Sequence, residues 1–163
     1  MLPSSQTYAS WLAVLRIITG SFWLLHGVPK LLNPRFFGAD GMMAGMIRDG
    51  LSDSSGPYHD FLVSVVLPNA SLISHLVAWG ETLTGISLLL GLFTRVGGVG
   101  GMFLNFNYFM MQASYTRLGG FASMDTAYMA LSFINVVLPT GLVFGLDGVL
   151  PVSRSRTRPA GET

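Results

Sequence analysis

The chain has 163 residues; 50% are hydrophobic, 10% are charged, and the net charge is +1. A soluble domain carries about 25% charged residues, so this chain cannot coat its own surface, and its mean hydropathy of +0.54 agrees. That excludes a soluble enzyme and a disordered protein, the charge balance leaves no basic footprint for nucleic acid, and the lack of cysteine excludes disulfides, thiol relays and Cys-ligated metal centres.

Four apolar stretches are long enough to cross a bilayer, which takes roughly 20 helical residues. They run over about 8–32, 69–92, 96–115 and 124–146. The first has no basic leader and is interrupted by Arg16, so it reads as an uncleaved helix and not as a signal peptide. The predicted fold is an all-α integral membrane protein: a four-transmembrane-helix bundle forming one domain over residues 1–152. Phe93-Thr94-Arg95 makes a tight turn between the second and third spans, and a Gly-rich loop with Arg117, Gly119 and Gly120 joins the third to the fourth.

The long connection between the first two spans is expected to hold two short interfacial helices. One carries Met42, Met43, Met46 and Ile47 on one side, with Asp40 as its cap. The other starts at Pro57 and carries Phe61, Leu62, Val65 and Val66. Residues 153–163 form a polar tail with Arg154, Arg156 and Arg158, expected to be disordered. These arginines and Arg95 place both termini in the cytoplasm, with the chain in the inner membrane.

Each span carries a stripe of small and polar residues at helical spacing. The stripes are Arg16, Gly20, Trp23, Gly27 and Lys30; Ser74, Ala78, Glu81 and Gly85; Gly97, Gly101, Asn105, Tyr108 and Gln112; and Asp125, Tyr128, Ser132, Asn135 and Pro139. Such stripes face inward, where small residues allow close approach and polar ones find partners. Glu81, Asn105 and Asn135 fall near mid-span, and Arg16 lies roughly 6 Å to the cytoplasmic side of its span's centre at 1.5 Å per residue. Charges at such depth cost about 2.5–3.5 kcal/mol each on insertion scales, so Arg16 and Glu81 are expected to pair, as helix glue or as a functional pair. Lys30 is expected to snorkel to the outer surface. His26 and His75 fall in the outer half; they either bond to carbonyls and water or clamp a b-type haem, and the haem is the weaker reading because only His26 lies near the polar face.

Together these residues make a pattern. The first span reads Leu15-Arg16-Ile17, Gly20, then His26-Gly27-Val28-Pro29-Lys30-Leu31; the second reads Glu81, Gly85, Leu88-Leu89-Leu90-Gly91-Leu92, then Thr94-Arg95. This resembles the DoxX/DoxD family of small four-helix membrane proteins, over the first two spans and up to Arg95. The resemblance implies a quinone-linked membrane oxidoreductase subunit. The long first loop is similar to that of the DoxD branch, the membrane subunit of thiosulfate:quinone oxidoreductase, which works with a small partner called DoxA. No DoxA-like segment is fused here, so part of a thiosulfate site would come from another polypeptide.

On this reading the candidate catalytic residues are Arg16, His26, Lys30 and Glu81, which can supply hydrogen-bond donors and protons. His75, Trp23, Asn105 and Tyr108 are candidate contacts for the quinone cofactor; no metal is expected. The anticipated partners are membrane lipid and further subunits of a larger complex. The alternative is a non-catalytic accessory or assembly subunit of a membrane energy-transducing complex. A channel or transporter is a third reading, without the paired broken helices that such folds carry.

Overall fold

A computed structural model describes residues 5–52, 54–116 and 119–149. The described residues are helical, with no strand. Six α-helices follow in order: α1 (Ser5–Leu32), α2 (Met42–Leu51), α3 (Pro57–Phe61), α4 (Ala70–Leu90), α5 (Thr94–Met111) and α6 (Met124–Val137). A π-helical turn, Leu62–Val66, continues α3. The tail from Ser153 and Arg117 lie outside the described residues.

Among the described residues, α1 and α4 are long and apolar enough to cross a membrane. Their packing on each other is the most extensive in the fold; α5 lies against α4 and α6. Glycine sets the α1–α4 register. A Cβ on Gly20 would come within 3.0 Å of the Gly85 carbonyl, and one on Gly85 within 2.7 Å of the Leu24 nitrogen. One turn or two further on, Gly27 lies directly over Glu81 and Thr82. The helices run antiparallel at backbone contact, as small-residue interfaces permit.

Gly91 ends α4 in the left-handed conformation (φ 66°), and the Leu92 amide bonds back to the Ser87 carbonyl, the usual closure of a helix by glycine. The chain reverses at once into α5. The Asp147 carboxylate caps that start, accepting from the Phe93 and Thr94 amides (2.7 and 3.0 Å) and the Thr94 hydroxyl (2.7 Å).

Three expectations change. The fourth apolar stretch is not one helix to Leu146: α6 ends at Val137, and 3-10 turns follow at Thr140–Leu142 and Leu146–Gly148. Pro139 lacks an amide hydrogen and forces its predecessor into extended backbone, and Leu138 has ψ 147°. The third helix starts at Thr94 and stops at Met111. Asp40 does not cap α2; Gly41 holds that position without a side-chain bond, and Asp40 pairs with Arg48 at 3.5 Å. The α2 face of Met43, Ala44 and Ile47 is buried, with Met42 and Met46 outside; α2 and α3 pack on α4 and α5.

Candidate functional site

The inward stripes of α1, α4 and α5 meet at one charged cluster. Because Gly27 brings α1 against Glu81, Lys30 stands within reach one turn later. Its ammonium donates to both Glu81 oxygens (2.5 and 2.7 Å) and to the Tyr108 hydroxyl (2.9 Å). Tyr108, from α5, donates its own proton to Glu81 Oε1 at 2.5 Å. Glu81 is 1% exposed and Lys30 21%. The Phe36 ring, held by the turn Pro34–Phe36, lies 5.5 Å from Lys30 Nζ, and the Tyr108 ring 5.1 Å. Lys30 therefore does not snorkel outward; its charge turns in to meet the carboxylate.

Arg16 does not pair with Glu81. The Gly20–Gly85 and Gly27–Glu81 contacts place Arg16 level with Gly91, ten residues from Glu81 and so about 15 Å away along α4. Placing each span by its own midpoint overlooks this register. The guanidinium is fully buried and donates to the Thr140 and Phe144 carbonyls (3.1 and 2.8 Å). It ties the irregular segment after α6 to α1, close to Asp147. Its Nε has no partner among the described residues.

The remaining candidates add no hydrogen bond to the cluster. Trp23 and Asn105 are buried: Trp23 packs with Leu88 and Leu104, with Tyr108 against them, and the Asn105 amide donates to the Gly101 carbonyl (3.0 Å). Trp23 Nε1 and Ser132 Oγ have no partner among the described residues, and both would crowd a Cβ on Gly101. His26 and His75 lie on exposed faces. Each Nδ1–H donates to the carbonyl one turn back, Phe22 at 2.8 Å and Ser71 at 2.7 Å. The His26 ring lies tilted against Phe22, and His75 stacks on Phe37. By the α1–α4 register His26 is level with Thr82, seven residues or roughly 10 Å from His75, so the two rings do not face each other.

Tyr108 also lines a cavity of about 260 Å³ between α2, the α3–π segment, α4 and α5. Its walls are apolar, from Ile47, Leu62, Val66, Val77 and Leu104 among others. Its polar residues are Tyr58, Asn107 and Tyr108. The Tyr58 hydroxyl donates to the carbonyl and the side-chain oxygen of Asn107, both at 3.1 Å. Burial pushes the Tyr58 hydroxyl up to about 12 from its usual 10, which keeps it a neutral donor. A mostly apolar cavity with a few polar groups is the usual form of a small-molecule site. Sequence reasoning missed Tyr58, Asn107, Thr140 and Asp147. Asp147, an acid closing an apolar stretch, carried a readable signal; Tyr58 in a long loop and Asn107 beside the α5 stripe carried none.

A family model described as DoxX matches residues 11–113, which takes in every member of the charged cluster and the cavity wall from α2 to α5. No curated protein matches the chain, and no solved structure does. With well over half of its length matched, the chain belongs to the DoxX family, a family of membrane proteins.

Proposed function

We propose that the chain is the membrane subunit of a quinone-linked oxidoreductase, of the thiosulfate:quinone type. The observation that carries this reading is the Lys30–Glu81–Tyr108 cluster bordering an apolar cavity. Ionisable groups between membrane helices mark pathways and relays. A quinone, when bound, supplies the two-electron, two-proton acceptor chemistry. The chain's own residues then have distinct tasks. Lys30 and Tyr108 both donate to Glu81, and the Tyr108–Glu81 hydrogen bond can hold or pass a proton beside the cavity. Arg16, far from this cluster, holds the helix ends together.

In this reading α1, α4, α5 and the α6 segment make four spans in the inner membrane, with both termini cytoplasmic. At 1.5 Å per residue, the 18 residues of α5 cover about 27 Å, close to the roughly 30 Å hydrocarbon core. The 14 residues of α6 need the turns after Pro139 to complete the crossing. An anionic donor such as thiosulfate reaches the site with a partner polypeptide.

The test is thiosulfate-dependent quinone reduction in membranes carrying the chain and its partners. Glu81→Gln and Lys30→Met are expected to abolish turnover while the protein still inserts. Wild-type turnover by Glu81→Gln overturns the reading, and normal activity in both variants makes the chain an accessory subunit.

A further inference from the structure

We infer that the cavity between α2, the α3–π segment, α4 and α5 seats a single quinone ring, with the Tyr58 hydroxyl exchanging its Asn107 contact for a ring carbonyl. This rests on the reading of the protein as quinone-linked, and adds where the ring binds and which residue recognises it.

Size comes first. A cavity of about 150 Å³ lined by apolar side chains takes up benzene. The 260 Å³ here leaves room for one six-membered ring with substituents. Polarity comes second. The walls are apolar almost throughout, and their few polar atoms come from Tyr58, Asn107 and Tyr108, groups that a ring carbonyl can use and an acyl chain cannot. Of the three, Tyr108 is already engaged twice, by Glu81 and Lys30. Tyr58 is not so fixed: one proton is divided between two acceptors at 3.1 Å, a long bond for O–H···O. A carbonyl in the cavity can take that proton. Asn107 keeps its own amide bond to the Phe103 carbonyl at 2.7 Å, so its position survives the exchange.

Local backbone gives a third argument. Leu62 and Val66 belong to a π-helical turn, closed by the Leu67 amide on the Leu62 carbonyl at 2.9 Å. Such turns are rare and recur at functional sites. Here the wide turn presents both side chains to the cavity, so the loop between the first two spans is its wall.

The experiment is photolabelling in lipid nanodiscs with an azido-benzoquinone bearing a short alkyl chain. The expected adducts map to residues 58–66 and 103–111 and are displaced by the unlabelled short-chain benzoquinone. Tyr58→Phe removes one neutral hydrogen bond and is expected to weaken displacement about three- to tenfold. Val77→Phe fills the cavity and is expected to remove the adducts; circular dichroism checks that both variants keep their helices. Equal displacement in wild type and Tyr58→Phe overturns the role of the hydroxyl. Saturable adducts elsewhere, with Glu81-dependent turnover intact, overturn the cavity and leave the functional reading standing. A photoactivatable phospholipid that labels these segments unaffected by quinone assigns the cavity to an acyl chain and overturns the inference. No saturable adduct anywhere, with no quinone-dependent turnover, removes both.

Discussion

Replacing Glu81 by Gln deletes a charge and keeps the shape. It leaves the Lys30 ammonium against the Phe36 and Tyr108 rings without its carboxylate. Two unit charges about 4 Å apart attract by roughly 4 kcal/mol at an effective dielectric constant of 20. Removing one member of a fully buried pair costs about 3–5 kcal/mol. Lys30 retains 21% exposure, so Glu81→Gln falls at or below the lower end, about 2–3 kcal/mol. Lys30→Met strands a carboxylate that is 1% exposed, with the Tyr108 hydroxyl still bound to it, and costs more, about 4 kcal/mol. The double variant removes both charges together. Its loss is expected to fall short of the sum by about 2 kcal/mol. The assay is reversible unfolding in mixed micelles, followed by tryptophan fluorescence. A coupling below about 0.5 kcal/mol refutes the pairing. A coupling near 2 kcal/mol between Arg16→Met and Glu81→Gln refutes the helix register, because these residues are about 15 Å apart along α4 and their effects should add.

Other outcomes follow from the same geometry. Gly85→Ala sets a methyl group 2.7 Å from the Leu24 backbone nitrogen and is expected to cost about 1–3 kcal/mol as overpacking, read in the same unfolding assay. Asp147→Ala frees the start of α5 from its cap; a loss of about 0.5–2 kcal/mol is expected, with Asp147→Asn retaining part of the stability. Tyr58 holds its proton to about pH 12 in the folded chain but loses it near 10 when unfolded. The unfolded state therefore binds fewer protons between these values, so stability falls as pH rises through that window. Tyr58→Phe should flatten that slope in a pH series of unfolding midpoints.

Much of the fold was legible because its signals are periodic. Stripes at spacings of three and four residues mark the buried faces: Arg16, Trp23, Glu81, Asn105, Ser132 and Asn135 all lie inside. The turn at Phe93-Thr94-Arg95 was legible because so few residues separate two apolar runs. Partner choice was not. Whether Glu81 meets Arg16 or Lys30 depends on the offset between α1 and α4, and that offset is set by where Gly20, Gly27 and Gly85 permit backbone contact. A span's midpoint carries no such information. The break after Val137 is readable from Leu138-Pro139, where proline ends a helix, although residues 140–146 continue the apolar stretch. Tyr58 came to the site by tertiary packing of a loop segment on α5, which no local pattern encodes.

We propose that the Lys30–Glu81–Tyr108 cluster and the cavity beside it serve a quinone. The most direct measurement is the quinone content of the protein purified gently in lipid nanodiscs, with its co-purifying chains identified. Bound quinone is expected in the wild type, and its loss in Glu81→Gln and Val77→Phe. No quinone, with near-stoichiometric recovery of a large membrane complex, would contradict it and make the buried charges a brace between helices; a b-type haem absorbance in place of quinone would contradict it as well.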